Sequence, residues 1–193
     1  MADNVPKSPY TGIPGWETVE EENRLTELAE SVPKYGVIVE LGAEYGRSMA
    51  GFIRGSDDTV ELYSVDLFPK DHPEVGDLLA EYQRNVSSVD ASRQIGIMQG
   101  DSAEAAKHWP ADKEIDLLFI DAGHEYEQVA ADIAGWTQFV ARGGVVAFHD
   151  CAVDEKSHYL HHEVNRAVDD WKRGDEWVEL PQVDSLRVFM RAR

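Results

Sequence analysis

Val37-Ile38-Val39-Glu40-Leu41-Gly42-Ala43-Glu44-Tyr45-Gly46-Arg47-Ser48 is the stretch that decides the fold. Its apolar, β-branched opening, broken only by Glu40 and closed by a glycine, reads as a buried strand of a parallel sheet. Gly42 and Gly46 permit a tight turn and let a ligand come close to the backbone. A helix predicted from Arg47 to Arg54 aims free N–H groups at that ligand. Strand, glycine loop and helix in this order make a seat for a nucleotide-like cofactor.

The spacing narrows the cofactor. A dinucleotide fingerprint reads G-x-G-x-x-G and rests a pyrophosphate on the helix. Here the pattern is E-x-G-x-x-x-G-x-S, without the second glycine, and G-x-x-x-x-G-K-[ST] is absent, which excludes a P-loop. Glu40 beside the loop disfavours a pyrophosphate and suits a cationic or amine-bearing ligand.

Outward from this stretch, strand and helix signals alternate. A Pro- and Gly-rich lead-in ends at Trp16, and Thr18 to Ser31 is a helix stopped by Pro33. Strands are predicted at 60–66, 95–98, 115–121 and 143–149. Helices are predicted at 74–88, from Ser102 to Trp109, at 126–140 and at 159–171. The tail, with strands at 177–180 and 186–190 joined through Pro181, is a hairpin. Repeated βα units give an α/β fold with a mostly parallel sheet and helices on both faces. Length fits one domain, with residues 1–33 as lead-in and helix and 34–193 as a Rossmann-like core.

Composition excludes other classes. With 42% hydrophobic residues the 193-residue chain can bury a core, and no apolar run approaches a bilayer span. Eighteen basic against 37 acidic residues give a net charge of −19, which disfavours nucleic acid and anionic membranes as partners. No signal peptide opens the chain, and Cys151 has no cysteine to pair with, so a cytoplasmic enzyme is the expectation.

Ligands of open α/β sheets bind beyond the carboxyl ends of the strands. This chain places Glu40, Asp66, Asp101, Asp121 and the pair His149-Asp150 at those ends. Helix capping accounts for any one of them, but not for all converging on one rim. Asp66, about 20 residues past the glycine loop, is placed to accept both ribose hydroxyls. Asp101-Ser102 is placed to contact the adenine amino group and a ring nitrogen.

These residues resemble motif I and the strand-end acids of class I S-adenosylmethionine (SAM)-dependent methyltransferases. Phe119-Ile120-Asp121-Ala122-Gly123-His124-Glu125-Tyr126 and Gly143-Gly144-Val145-Val146-Ala147-Phe148-His149-Asp150, with Ile13-Pro14-Gly15-Trp16 upstream, are similar to a family of small bacterial O-methyltransferases. The likeness runs from about Gly12 to the last strand. It implies a seven-stranded sheet ending in the antiparallel hairpin, and SAM held by Glu40, Gly42, Ala43, Gly46, Ser48, Asp66, Leu67, Asp101, Ser102 and Asp121. It further implies a small-molecule acceptor, a sugar or secondary metabolite methylated at a hydroxyl, and is compatible with a homodimer.

Caffeoyl-CoA and catechol O-methyltransferase-like enzymes offer a more distant comparison. They hold a divalent metal with an aspartate after the fourth strand and an Asp-Asn pair after the fifth. By position Asp121 matches the first ligand, His149-Asp150 the pair, and His124 the caffeoyl-CoA lysine near the acceptor. That resemblance makes Asp121, His149 and Asp150 a candidate site for Mg, Mn or a similar metal. An N/O set favours a later metal over magnesium, which prefers oxygen. His124, with an ordinary value near ~6.5, suits a general base, with Asp121 beside it. A loop histidine bonded to backbone is its bland alternative.

Other groups carry less. His158, His161, His162 and Glu163 read as a solvated helix face or part of an acceptor wall. Cys151 reads as a small core residue, Trp136 and Trp171 as core. The loop 69–76 reads as a cover over the cofactor. Two rival functions stay open: an NAD-dependent oxidoreductase, and a non-catalytic SAM- or nucleoside-binding module.

Overall fold

The computed structural model describes residues 5–151, 159–172 and 175–192. Its strands are β1 (Val37–Leu41), β2 (Glu61–Asp66), β3 (Ile95–Gln99), β4 (Ile115–Ile120), β5 (Val140–Phe148), β6 (Trp177–Glu179) and β7 (Arg187–Arg191). They form one sheet in the order β3-β2-β1-β4-β5-β7-β6. β1 to β5 pair in parallel, and β7 runs antiparallel between β5 and β6. The expected Rossmann-like sheet with its terminal hairpin is what the chain builds.

Period-2 alternation splits the core into two layers. Ile38, Leu62, Leu117 and Phe119 pack against α1 (Val19–Glu30), α2 (Arg47–Gly55) and α3 (Leu78–Val89). Val37, Val39, Leu41 and Leu118 pack against α4 (Ser102–Ala106), α5 (Tyr126–Trp136) and α6 (Tyr159–Trp171). Trp136 is fully buried in the second layer, and Trp171 packs on that layer against Phe148 and Phe189. Cys151 is a buried core residue too, its thiol pushed up to about 12 by burial.

Some predicted boundaries move for local reasons. α3 starts at Leu78 rather than Glu74, because Asp77 caps it on the Ala80 amide and Gly76 closes a turn on His72. α5 stops at Trp136, and after a 3-10 turn at Thr137–Phe139 the chain enters β5 at Val140, opposite Ile115. α1 carries a capping box, with Thr18 accepting from the Glu21 amide and Glu21 from the Thr18 amide.

Register brings the strand ends into line. Leu41 pairs with Val65 and Ile120, Ile120 with Phe148, and Asp66 with Gln99. Each ladder runs one step further: Gly42 donates to Val65, Asp121 to Leu41, His149 to Ile120 and Gly100 to Asp66. Gly42 sits at φ +82°, and a Cβ there would lie 2.0 Å from the Asp121 carbonyl oxygen. Glycine is required because the β4 backbone crosses directly over the loop.

Candidate active site

A cleft of about 720 Å³ opens along this rim, between the loops after β1, β2, β3, β4 and β5 and the lead-in segment Pro14–Glu17. Asp66 shapes one end of it. Its Oδ2 accepts from the amides of Ala43 (2.8 Å) and Glu44 (3.1 Å), and its Oδ1 from Phe68 (2.7 Å). That grip holds Glu44 at φ +40°, so the loop is tensioned over the cleft rather than free. Leu67 stands 67% exposed beside Asp66, as an apolar wall. Gly42, Ala43 and Ser48 line the cleft, whereas Gly46 turns away and packs on Tyr82 and Val86.

Glu40 is a correction. It shares the face of Ile38 and therefore points under α2 and α3, fully buried, rather than into the cleft. Its carboxyl accepts from Ser48 (2.7 Å), Ser64 (2.6 Å) and Tyr82 (3.3 Å), and burial pushes it up to about 8. It braces the loop through Ser48 and offers a ligand no charge. The loop 69–76 also departs from expectation: Glu74 and His72 pack on Tyr45, and the segment lies outside the cleft lining.

At the third strand end, Asp101 caps α4 by accepting from the Glu104 amide. Ser102 donates to Asp132 of α5 at 2.5 Å and is fixed by Trp136 donating to its carbonyl. Asp132, only 2% exposed, faces the same cleft and was not legible as a site residue.

The other end is a chain of alternating acids and imidazoles. His149 is buried, with Nδ1 3.2 Å from Asp121 Oδ1 and Nε2 3.2 Å from Glu21 Oε2. Burial opposes its charge, but Asp121, Glu21 and Asp150 outweigh that and raise His149 well above the usual imidazole range. Glu21 is held down to about 2, its bonds to His149, Thr18 and Ser185 overcoming burial. With both ring nitrogens committed to carboxylates, His149 is not free to ligate a metal. Donor atoms of Asp121, His124 and Asp150 lie within 4.8 Å of one another, a grouping that takes in two of the expected ligands and not His149.

His124 Nε2 sits 2.8 Å from Asp150 Oδ2 and 3.7 Å from Asp121 Oδ1, yet no acceptor lies along its ring N–H. The carboxylates of Asp121 and then Asp150 beside the ring raise it to about 10. The free-imidazole value assumed from sequence does not hold, because two carboxylates enclose the ring. Once His124 loses its ring proton, its nitrogen and the two carboxylates are compatible with a divalent ion of N/O preference. His161 also reaches Asp150, at 3.2 Å, and His162 is exposed, whereas His158 falls outside the described residues.

Two lead-in residues complete the wall. Trp16 is 61% exposed at the cleft, and Glu17 is buried beside it. Burial and the nearby Asp121 push Glu17 up to about 7, and burial with Asp121 and Glu17 does the same to Glu44. The segment is pinned from below by Arg47, which donates to the Gly15 carbonyl (2.8 Å) and to Glu22 (3.2 Å).

Residues 39–151, more than half of the chain, match a family described as a methyltransferase domain. The chain belongs to that family. An uncharacterized protein of Sinorhizobium fredii, y4gI, is 30% identical over 123 residues, 61% of this chain but 13% of that protein. The matched part of the chain thus spans about an eighth of the length of that curated relative. The fold recurs in an O-methyltransferase from Bacillus cereus in complex with S-adenosylhomocysteine (SAH) (14% identity, TM-score 0.71, 100% of this chain and 86% of that one). TomG from Streptomyces achromogenes, an O-methyltransferase of tomaymycin synthesis in complex with SAM, is similar at 13% identity (TM-score 0.71, 92% and 82%). CalS11, a TDP-rhamnose 3'-O-methyltransferase of calicheamicin biosynthesis, is similar at 21% (TM-score 0.65, 89% and 76%). Among the described residues, no helix of the chain is long and apolar enough to cross a membrane.

Proposed function

We propose that this methyltransferase is a single-domain enzyme that transfers the methyl group of SAM to a hydroxyl of a small molecule, a sugar or secondary metabolite. The observation that carries the reading is the division of one cleft: a nucleoside seat at Asp66 and the Gly42 loop, and an acid–imidazole cluster at its other end. SAM lies along the rim with its ribose on Asp66 and its sulfonium toward Asp121. Trp16 and Glu17 flank the acceptor, and neighbours of the same fold bound to SAM or SAH support this placement.

Direct attack on the methyl group asks the protein mainly for alignment and for exclusion of water. His124 faces the acceptor oxygen between Asp121 and Asp150. Protonated, it donates a hydrogen bond to that oxygen; neutral, it accepts the hydroxyl proton, so base catalysis grows as His124 loses its proton. Should Asp121, His124 and Asp150 hold a divalent ion, it supplies Lewis-acid polarisation of the acceptor oxygen. His149 and Glu21 keep Asp121 in place.

Incubation with methyl-labelled SAM and a panel of hydroxylated sugars and phenols tests the reading. Labelled product and SAH release are expected, lost in His124→Ala. SAH binding without turnover on any acceptor favours the non-catalytic module instead.

A further inference from the structure

We infer that Asp132 reads the exocyclic amine of the cofactor's adenine and so sets the nucleobase specificity of the cleft. The inference rests on the SAM reading above and assigns a role within it to a residue on α5. Asp101, the acid at the strand end, is exposed and spends Oδ1 on its own helix cap, the Glu104 amide at 2.9 Å. Asp132 is the buried acid of that end, on the same cleft wall as Asp101, Ser102 and Ala103.

A carboxylate has about four lone-pair sites. Ser102 fills one on Oδ1, and Asp132 has no lysine or arginine among its ion-pair partners in the described residues. A buried carboxylate needs donors to offset the loss of water. Burial, opposed by the Ser102 bond and reinforced by the Asp101 charge, pushes its carboxyl up to about 6, the direction expected while only Ser102 serves that need. An amine N–H meets it. A carbonyl in the same place, as in hypoxanthine, sets acceptor against acceptor. Ser102 is itself held through its carbonyl by Trp136 at 2.9 Å, so the Ser102–Asp132 pair is a fixed edge and not a mobile contact. The bland role of the pair, a staple between α4 and α5, gives no preference between bases.

Calorimetric affinities for SAH and S-inosyl-L-homocysteine separate the two roles. The wild-type protein is expected to prefer SAH by about tenfold or more, the range for a buried hydrogen bond to a charged group. Asp132→Asn offers an amide that pairs with either base, and should bring the ratio within about threefold of parity. If that variant fails to fold, Asp132→Ser keeps a partner for Ser102 and is read by the same ratio. Equal wild-type affinities overturn the inference. So does a variant that keeps the wild-type ratio or weakens both ligands by one factor. A wild-type protein that binds neither overturns the SAM reading and this inference together, whereas failure of the inference alone leaves SAH binding intact.

Discussion

Asp66 ends β2 and Asp121 follows β4, the strands on either side of β1, and both face one cleft, yet they are held in opposite ways. Asp66 is gripped by three backbone amides, two of them from the glycine loop itself. Asp121 is gripped by side chains: His149, which leans in turn on Glu21, 128 positions away, and the ring of His124. At the proposed nucleoside end the Asp66 carboxyl is thus fixed by backbone amides. The acceptor end is made of charges that must be in the right state, and pH should tune it.

Breaking the joint between the two ends has the largest expected effect. Gly42→Ala drives a Cβ against the Asp121 carbonyl at a φ that disfavours side chains. A fall in Tm of roughly 10 °C, from a cost on the order of 3 kcal/mol, and loss of SAH binding are expected by thermal denaturation and calorimetry. An unchanged Tm would mean that the loop and β4 are not in register.

His124→Ala separates the ends. Turnover should fall on the order of 10²–10⁴-fold while SAH affinity stays within about threefold. A comparable loss in both quantities would place His124 at the cofactor instead. A gentler probe is the pH profile of kcat/KM in chelated enzyme. Because Asp121 and Asp150 raise His124 to about 10, the rate should climb through neutral pH toward that value; a plateau already near ~6.5, the free imidazole value, would contradict the enclosure of the ring.

The smallest effect concerns stability. Glu40 is buried and raised to about 8, so the folded chain keeps a proton that the unfolded chain releases near 4.5. Its contribution is present in full below 4.5 and lost as pH rises through about 8. Glu40→Gln should match wild-type Tm in acid and exceed it by a few degrees in mild alkali. The Glu21–His149 pair behaves differently. Glu21 contributes above its ordinary carboxylate range and loses this as pH falls through about 2, whereas raised His149 contributes below its ordinary imidazole range. Both act together in the weakly acidic window.

This contrast also explains what could be read from the residues alone. The mostly parallel sheet and its terminal hairpin are encoded locally, by alternation, glycines and turn signals, and they were legible, whereas the strand order was not. Glu40 was placed in the cleft because a strand-end acid looks alike whichever face it takes; its parity with Ile38 was the available clue. The burial of Glu21 against Ser185, 164 positions away, has no local signature, although the Thr18–Glu21 capping box does. Asp132 sits on an amphipathic helix where an acid reads as solvent-facing. His124 is a candidate through the resemblance to a lysine position, but its charge state depends on Asp150, which only the fold brings to it.

Calorimetric titration of the wild-type protein with SAH and with NAD at neutral pH tests the central claim most directly. The account predicts a one-to-one SAH complex of micromolar affinity or better and no measurable heat from NAD. Binding of NAD with no response to SAH would contradict it.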